Sequence, residues 1–117
     1  MQPIVSDMRI TEGTGGPTLI VLKGRIDATA VQTQRERLLA LLDRGITRLV
    51  IDLSPTQFLD SAGMAMLVSV MKRARQAGGD VRVVEPADES VRRILRLTRL
   101  DLVLNLRPSY AAAIEGF

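Results

Sequence analysis

The 117-residue chain contains no cysteine and no histidine. Without cysteine no disulfide framework can form, which is compatible with a reduced cytosol. Without histidine the chain lacks the commonest general base, the usual Ser/His nucleophile pair and most zinc sites. Only three aromatic residues are present, too few to suggest a base-stacking platform for single-stranded nucleic acid. These absences argue against an enzyme, and neither a metal site nor a cofactor is predicted.

Long apolar runs are also missing. No stretch approaches the roughly 18 consecutive apolar residues of a membrane span, so membrane insertion is not expected. The first seven residues lack a basic region followed by an apolar core, so they do not resemble a signal peptide. A cytoplasmic protein is the expectation. The length predicts one domain over 1–117, with its core at about 8–115.

The net charge of +3 is unevenly distributed. Residues 1–60 carry seven basic and seven acidic side chains, whereas residues 61–117 carry nine basic and six acidic. Arginine clusters of this kind are found on surfaces that bind nucleic acid or anionic lipid. They are found more often as solvated helix faces, and we favour that interpretation. Direct nucleic-acid binding is therefore not expected, and an acidic protein partner stays open.

Strand-like and helix-like segments alternate along the chain, which predicts an α/β fold. Strands are predicted at 8–12, 18–23, 48–53, 81–85 and 102–106, and helices at about 29–44, 61–77, 88–98 and 108–114. We expect a mostly parallel, mixed sheet of about five strands with about four helices. The first two strands should pair antiparallel across a glycine-rich loop, and 54–57 should be a loop.

One short segment stands out, Asp60-Ser61-Ala62-Gly63, between an apolar strand and an amphipathic helix. A hydroxyl at a helix start can accept a bond from free backbone N–H groups, so Ser61 is a candidate N-cap, as is Thr29 for the first helix. A serine there is also a candidate phosphate acceptor. Local sequence favours the cap, because caps are common.

Three features shift the balance towards a modified serine. The apolar pair Phe58-Leu59, which precedes the segment, can anchor the turn against the core. Ala62 adds no bulk beside the hydroxyl, and Gly63 permits close approach of another backbone. Catalysis by Ser61 is not expected, because only Asp60 could take its proton and the Gly-x-Ser-x-Gly pattern is absent. Asp27 also follows a strand, so it could meet Asp60 and Ser61 on one surface. Asp52 is expected to bond a loop, and a Mg²⁺ pair of carboxylates is only weakly suggested.

The motifs resemble those of the STAS domain family, and within it the bacterial anti-sigma factor antagonists. The resemblance extends from about Leu19 to Leu106. It is carried mainly by three segments, Gly24-Arg25-Ile26-Asp27, Leu49-Val50-Ile51-Asp52-Leu53 and Phe58-Leu59-Asp60-Ser61-Ala62-Gly63.

This resemblance implies that Ser61 is phosphorylated by the partner anti-sigma factor, an ATP-dependent serine kinase, and that a phosphoserine phosphatase reverses the modification. The unmodified form would bind the anti-sigma factor and release the sigma factor. The expected partner-binding residues are Asp27, Thr29, Asp60, Ala62, Gly63 and Met64. The sequence does not indicate the oligomeric state.

A second function stays open at this stage. Some STAS domains serve transport ATPases or sensory scaffold complexes, and there Ser61 would be a cap that is never phosphorylated. The two functions differ in a simple observable, the presence of phosphate on the protein.

Overall fold

The computed structural model describes residues 6–117. In chain order the elements are β1 (Asp7–Thr11), β2 (Thr18–Ile26), α1 (Ala28–Asp43), β3 (Arg48–Asp52), β4 (Thr56–Leu59), α2 (Ser61–Gln76), β5 (Asp80–Val84), α3 (Glu89–Leu97), α4 (Leu100–Val103), β6 (Leu106–Arg107) and α5 (Tyr110–Ile114).

The strands form one mixed sheet in the order β1-β2-β3-β5-β6, with β4 paired to β2 off this path. The β1–β2 pair is antiparallel and every other pair is parallel. Strand β2 pairs with β3 over Thr18–Val21 and with β4 over Gly24–Ile26. The predicted α/β class, the parallel sheet and the first hairpin are confirmed, but the described part of the chain has six strands and five helices.

The main core lies between the sheet and helices α1 and α2. Isoleucine and leucine side chains of β2 and β3 are fully buried there against Leu38, Leu67 and Met71. A smaller apolar cluster of Val50, Val84 and Ala113 brings α5 onto β3 and β5. Within residues 6–117, no helix combines the length and the apolarity that crossing a membrane requires.

The strand predicted at 102–106 is wrong. Residues 100–103 form α4, and β6 comprises only Leu106–Arg107. A short apolar run has no distinctive period, so the sequence could not distinguish a helical turn from a strand. Here Arg99 takes a left-handed conformation (φ 62°) that ends α3, and the next residues turn again before Leu104 enters the core.

The loop predicted at 54–57 is also partly wrong, because β4 begins at Thr56. The side chain of Thr56 is buried, and its hydroxyl donates a 2.7 Å hydrogen bond to the carbonyl oxygen of Leu22. This long-range bond secures the start of β4 against β2. Strand β4 thereby brings Asp60 and Ser61 next to the end of β2.

Candidate functional site

Two parallel strands end side by side, and each leads directly into a helix. Ile26 of β2 and Leu59 of β4 are register partners, and the next residues are Asp27 and Asp60. The Asp60 N–H extends the pairing by donating to the Ile26 carbonyl oxygen at 3.3 Å. The structure therefore brings Asp27, Asp60 and Ser61 to one edge of the sheet, as the order of strands and helices predicted.

The Asp60 carboxylate holds the first turns of both helices. Its Oδ1 accepts a 2.9 Å hydrogen bond from Gly63 N in α2, and its Oδ2 accepts a 3.1 Å bond from Ala28 N, the first residue of α1. Both N–H groups lack partners within their helices. A carboxylate here also interacts favourably with the positive ends of the two helix dipoles. Asp60 thus fixes the position of α1 relative to α2 at the site.

Asp27 caps α1 in the same manner. Its Oδ1 accepts a 3.0 Å hydrogen bond from Ala30 N, and its Oδ2 accepts a 2.8 Å bond from Arg25 Nε. The Ala30 N–H bond, followed by the bond from Arg25, lowers the pKa of the Asp27 carboxyl below its ordinary value. Both bonds favour the charged form, so Asp27 is an anion at neutral pH.

The predicted caps, Thr29 and Ser61, are wrong by one or two residues. An N-cap needs an extended backbone, which Asp27 (φ −119°, ψ −177°) and Asp60 (φ −103°, ψ −174°) have. Thr29 and Ser61 already lie within their helices. Because Asp60 is the cap, the Ser61 hydroxyl is not used for this purpose. Ser61 is exposed, and among the described residues its hydroxyl makes no hydrogen bond.

Gly63 lies at a close contact between α2 and β2. A Cβ atom on this residue would lie 2.7 Å from the Ile26 carbonyl oxygen and 2.6 Å from Leu59 Cδ1. Real Cβ atoms do not come this close to a backbone oxygen, so the glycine permits the approach, as expected from the sequence. Gly63 is buried, and its contribution to the site is the position of α2.

The remaining predicted partner-binding residues flank Ser61. Thr29 is exposed on α1, whereas Ala62 and Met64 are half-buried on α2. Met64 contacts the end of α3, where the Thr98 hydroxyl lies 3.8 Å from Met64 Sδ. The surface around Ser61 therefore includes contributions from α1, α2 and the end of α3.

Arg25 and Phe58 form a pair at this site that was not predicted from the sequence. The Arg25 guanidinium stacks over the Phe58 ring at 3.7 Å and also forms the salt bridge to Asp27. The two residues stand at equivalent positions, each two before a capping aspartate. This repeated spacing, together with the parallel pairing of the two strands, could have indicated from the sequence that Arg25 and Phe58 lie side by side.

Asp52 behaves as expected, because its Oδ1 accepts a 2.8 Å hydrogen bond from Ser54 N in the following loop. Among the described residues, the Asp52 side chain forms no hydrogen bond with Asp27 or Asp60. Within residues 6–117, no group of three or more acidic side chains is arranged to hold a metal ion.

Replacement of Asp60 by alanine is expected to lower the free energy of unfolding by about 2 kcal/mol, because two helix starts lose a partner worth about 1 kcal/mol each. Asp88→Ala is the matched control. Asp88 caps only α3, where it accepts bonds from Ser90 N, Val91 N and the exposed Ser90 hydroxyl, so the loss of one helix start, about 1 kcal/mol, is expected. Urea denaturation followed by circular dichroism measures both losses. Equal losses would contradict the double role of Asp60.

Known proteins provide a comparison for this fold and site. The family model described as "STAS domain" matches residues 8–113. A Thermotoga maritima protein named "Putative anti-sigma factor antagonist" is 30% identical over 74 residues. That match covers 63% of this chain and 65% of the relative, so it spans slightly less than two thirds of the relative's length.

Solved structures agree over nearly the whole chain. An anti-sigma factor antagonist from Mycobacterium paratuberculosis is 26% identical with a TM-score of 0.84, and the match covers 98% of this chain and 96% of the other. The Bacillus cell fate determinant SpoIIAA in its phosphorylated form has a TM-score of 0.73 at 19% identity, covering 93% of this chain and 97% of the other, which shows a shared fold. With the family model matched from the first strand to the last helix, the chain belongs to the STAS domain family.

Proposed function

We propose that this protein is an anti-sigma factor antagonist controlled by phosphorylation of Ser61. The unphosphorylated form binds an anti-sigma factor that is also a serine kinase, and the sigma factor is released. Phosphorylation of Ser61 ends this binding, and a phosphoserine phosphatase restores it. The observation that carries the proposal is the exposed Ser61 hydroxyl, which makes no hydrogen bond within residues 6–117 because Asp60 is the cap of α2.

The site supports Ser61 as a phosphoryl acceptor. Ser61 is the first residue of α2, and the Asp60 bonds to Gly63 N and Ala28 N hold this turn in place. In the transfer, Ser61 Oγ forms a bond to the γ-phosphorus of ATP and the bond to the ADP oxygen breaks. The hydroxyl proton passes to a base of the kinase. The antagonist contributes the acceptor and no catalytic group.

The same geometry supports a switch that leaves the fold intact. A phosphate adds about 1.5–2 negative charges at neutral pH. At the N-terminus of α2 this charge interacts favourably with the helix dipole, by roughly 0.3–1 kcal/mol. The effect of the phosphate on partner binding is unfavourable, because it adds negative charge beside the Asp27 and Asp60 carboxylates on the surface that meets the partner. Added charge and bulk there oppose docking of an apolar or acidic partner surface.

The names of similar proteins support the same proposal. The Thermotoga maritima and Mycobacterium paratuberculosis proteins are both named as anti-sigma factor antagonists, and SpoIIAA has been solved in a phosphorylated form. The expected partner-binding residues are Asp27, Thr29, Asp60, Ala62 and Met64, with Gly63 acting through the position of α2.

Intact-mass spectrometry after incubation with ATP and an anti-sigma factor kinase from the same organism tests the proposal. We expect the wild-type protein and Ser54→Ala, a change of an exposed loop serine, each to gain one phosphate. Ser61→Ala should gain none. If the wild type carries no phosphate under any condition and co-purifies with a transport ATPase or a sensory scaffold, the protein is instead a constitutive subunit of that complex.

A further inference from the structure

A groove between α2 and α4 lies away from Ser61. It encloses about 360 Å³ and is lined by Val68, Met71, Lys72, Arg75, Gln76 and Val103. The Met71 side chain is 2% exposed and forms the floor, while Val103 is 47% exposed at the side. Leu102, the neighbour of Val103, is 73% exposed. Apolar surface is thus left open along this groove.

The α2 side of the groove is a continuous helical stripe. The five lining residues of α2 follow the spacing i, i+3, i+4, i+7 and i+8, starting at Val68. This spacing places them on one helix face over two turns, or about 12 Å at 1.5 Å per residue. A partner element that fits such a stripe is another helix lying along α2, with one or two apolar side chains in the groove.

The rim of the groove is cationic. Lys72, Arg75 and Gln76 are exposed, and no acidic residue lines the groove. Arg75 is partly neutralised by Asp80, whose Oδ1 accepts a 2.8 Å bond from Arg75 Nε. Lys72 has no carboxylate within salt-bridge distance in the described part of the chain. The rim therefore complements carboxylates on an occupant.

The shape favours a protein helix over a membrane surface. The groove is a recess of about 360 Å³ between the exposed Lys72 and Arg75 on one side and Val103 on the other, which a protruding side chain can fill and a flat lipid surface cannot. A helix with a protruding apolar side chain reaches the floor and places its flanking carboxylates at the rim.

We propose that the α2–α4 groove binds an acidic amphipathic helix of a partner protein. The apolar face of that helix packs on Val68 and Val103 above the buried Met71, and its carboxylates pair with Lys72 and with the part of the Arg75 guanidinium that Asp80 leaves open. This contact does not depend on phosphorylation of Ser61, because Val68 lies seven residues, about 10 Å, further along α2.

Titration of isotope-labelled protein with a designed peptide tests the proposal by NMR. The probe is a helical peptide with leucine at i, i+3, i+4 and i+7 and glutamate at flanking positions; its counterpart carries lysine for glutamate. We expect saturable shifts at the groove residues with the acidic peptide and binding at least about tenfold weaker with the basic one, because the charge complementarity is reversed.

Matched variants distinguish peptide binding in the groove from non-specific effects of surface charge and hydrophobicity. Lys72→Glu and Val103→Asp should each weaken binding by about fivefold or more. Arg35→Glu and Ile114→Asp, exposed residues on α1 and α5, should leave it unchanged. The proposal is overturned if both peptides bind equally, if the shifts lie elsewhere, or if Lys72→Glu has no effect. Self-association that Val103→Asp abolishes would assign the groove to a second copy and also overturn it.

Discussion

Ser61→Asp is expected to weaken binding of the anti-sigma factor by about a hundredfold, or roughly 2.7 kcal/mol. The substitution places a third carboxylate beside Asp27 and Asp60, on a surface that must lose water when the partner docks. Each of the two existing aspartates already accepts two hydrogen bonds within the domain, whereas the new one has no partner held in place for it. Isothermal titration calorimetry with the purified partner measures the change.

The Ser61 experiment has three controls. Ser61→Ala should bind with nearly wild-type affinity, and its binding should no longer respond to ATP. Ser54→Asp adds the same charge on an exposed loop and should leave affinity unchanged. Circular dichroism should show an intact fold for Ser61→Asp, because an acidic residue at a helix N-terminus is favourable. Wild-type affinity of Ser61→Asp would contradict the switch.

Gly63→Ala is expected to lower the free energy of unfolding by about 2–3 kcal/mol, the scale of overpacking in a tight core. The new methyl group would meet the Ile26 carbonyl oxygen at 2.7 Å, and backbone atoms cannot yield without moving α2 or β2. Helix propensity alone predicts the opposite sign, since alanine is better than glycine in a helix by about 0.8–1 kcal/mol. Urea denaturation therefore distinguishes the two effects by direction.

Gly16→Ala is the matched control for this substitution. A Cβ atom at Gly16 meets nothing within 4 Å, so this variant should keep or slightly raise the free energy of unfolding. A gain in stability for Gly63→Ala would show that α2 can move away from Ile26 at little cost. That result would remove Gly63 as the cause of the close approach.

Much of the fold could be predicted because most of its strands are apolar or alternating segments with breakers between them. Strands β3 and β5 lie where apolar runs were predicted, β1 is an alternating segment that lies one residue earlier than predicted, and β2 extends three residues further than predicted. The errors fell where local pattern does not discriminate. Four of the five residues at 102–106 are apolar, and so short an apolar segment fits a helix or a strand equally well. Thr56 looks like a loop residue until its hydroxyl is seen to bond the Leu22 carbonyl oxygen.

The location of the candidate site could be predicted from the sequence, but the residue that caps each helix could not. Aspartate, serine and threonine are all good N-caps, so local sequence could not choose between Asp60 and Ser61, or between Asp27 and Thr29. The choice depends on where each strand ends, and that is set by the pairing of Ile26 with Leu59. A shift of one residue in the cap determines whether the Ser61 hydroxyl is occupied or free.

The sequence by itself determined the α/β alternation, the absence of histidine and cysteine chemistry, and the small, serine-bearing turn at 60–63. Only the tertiary structure decided that Asp60 bonds the starts of both helices. It accepts from Gly63 N in α2 and also from Ala28 N in α1, which lies 32 positions earlier in the chain. That contact arises from the register of β2 and β4, which no local pattern contains. Because Asp60 takes the capping role, Ser61 stays exposed and available for modification.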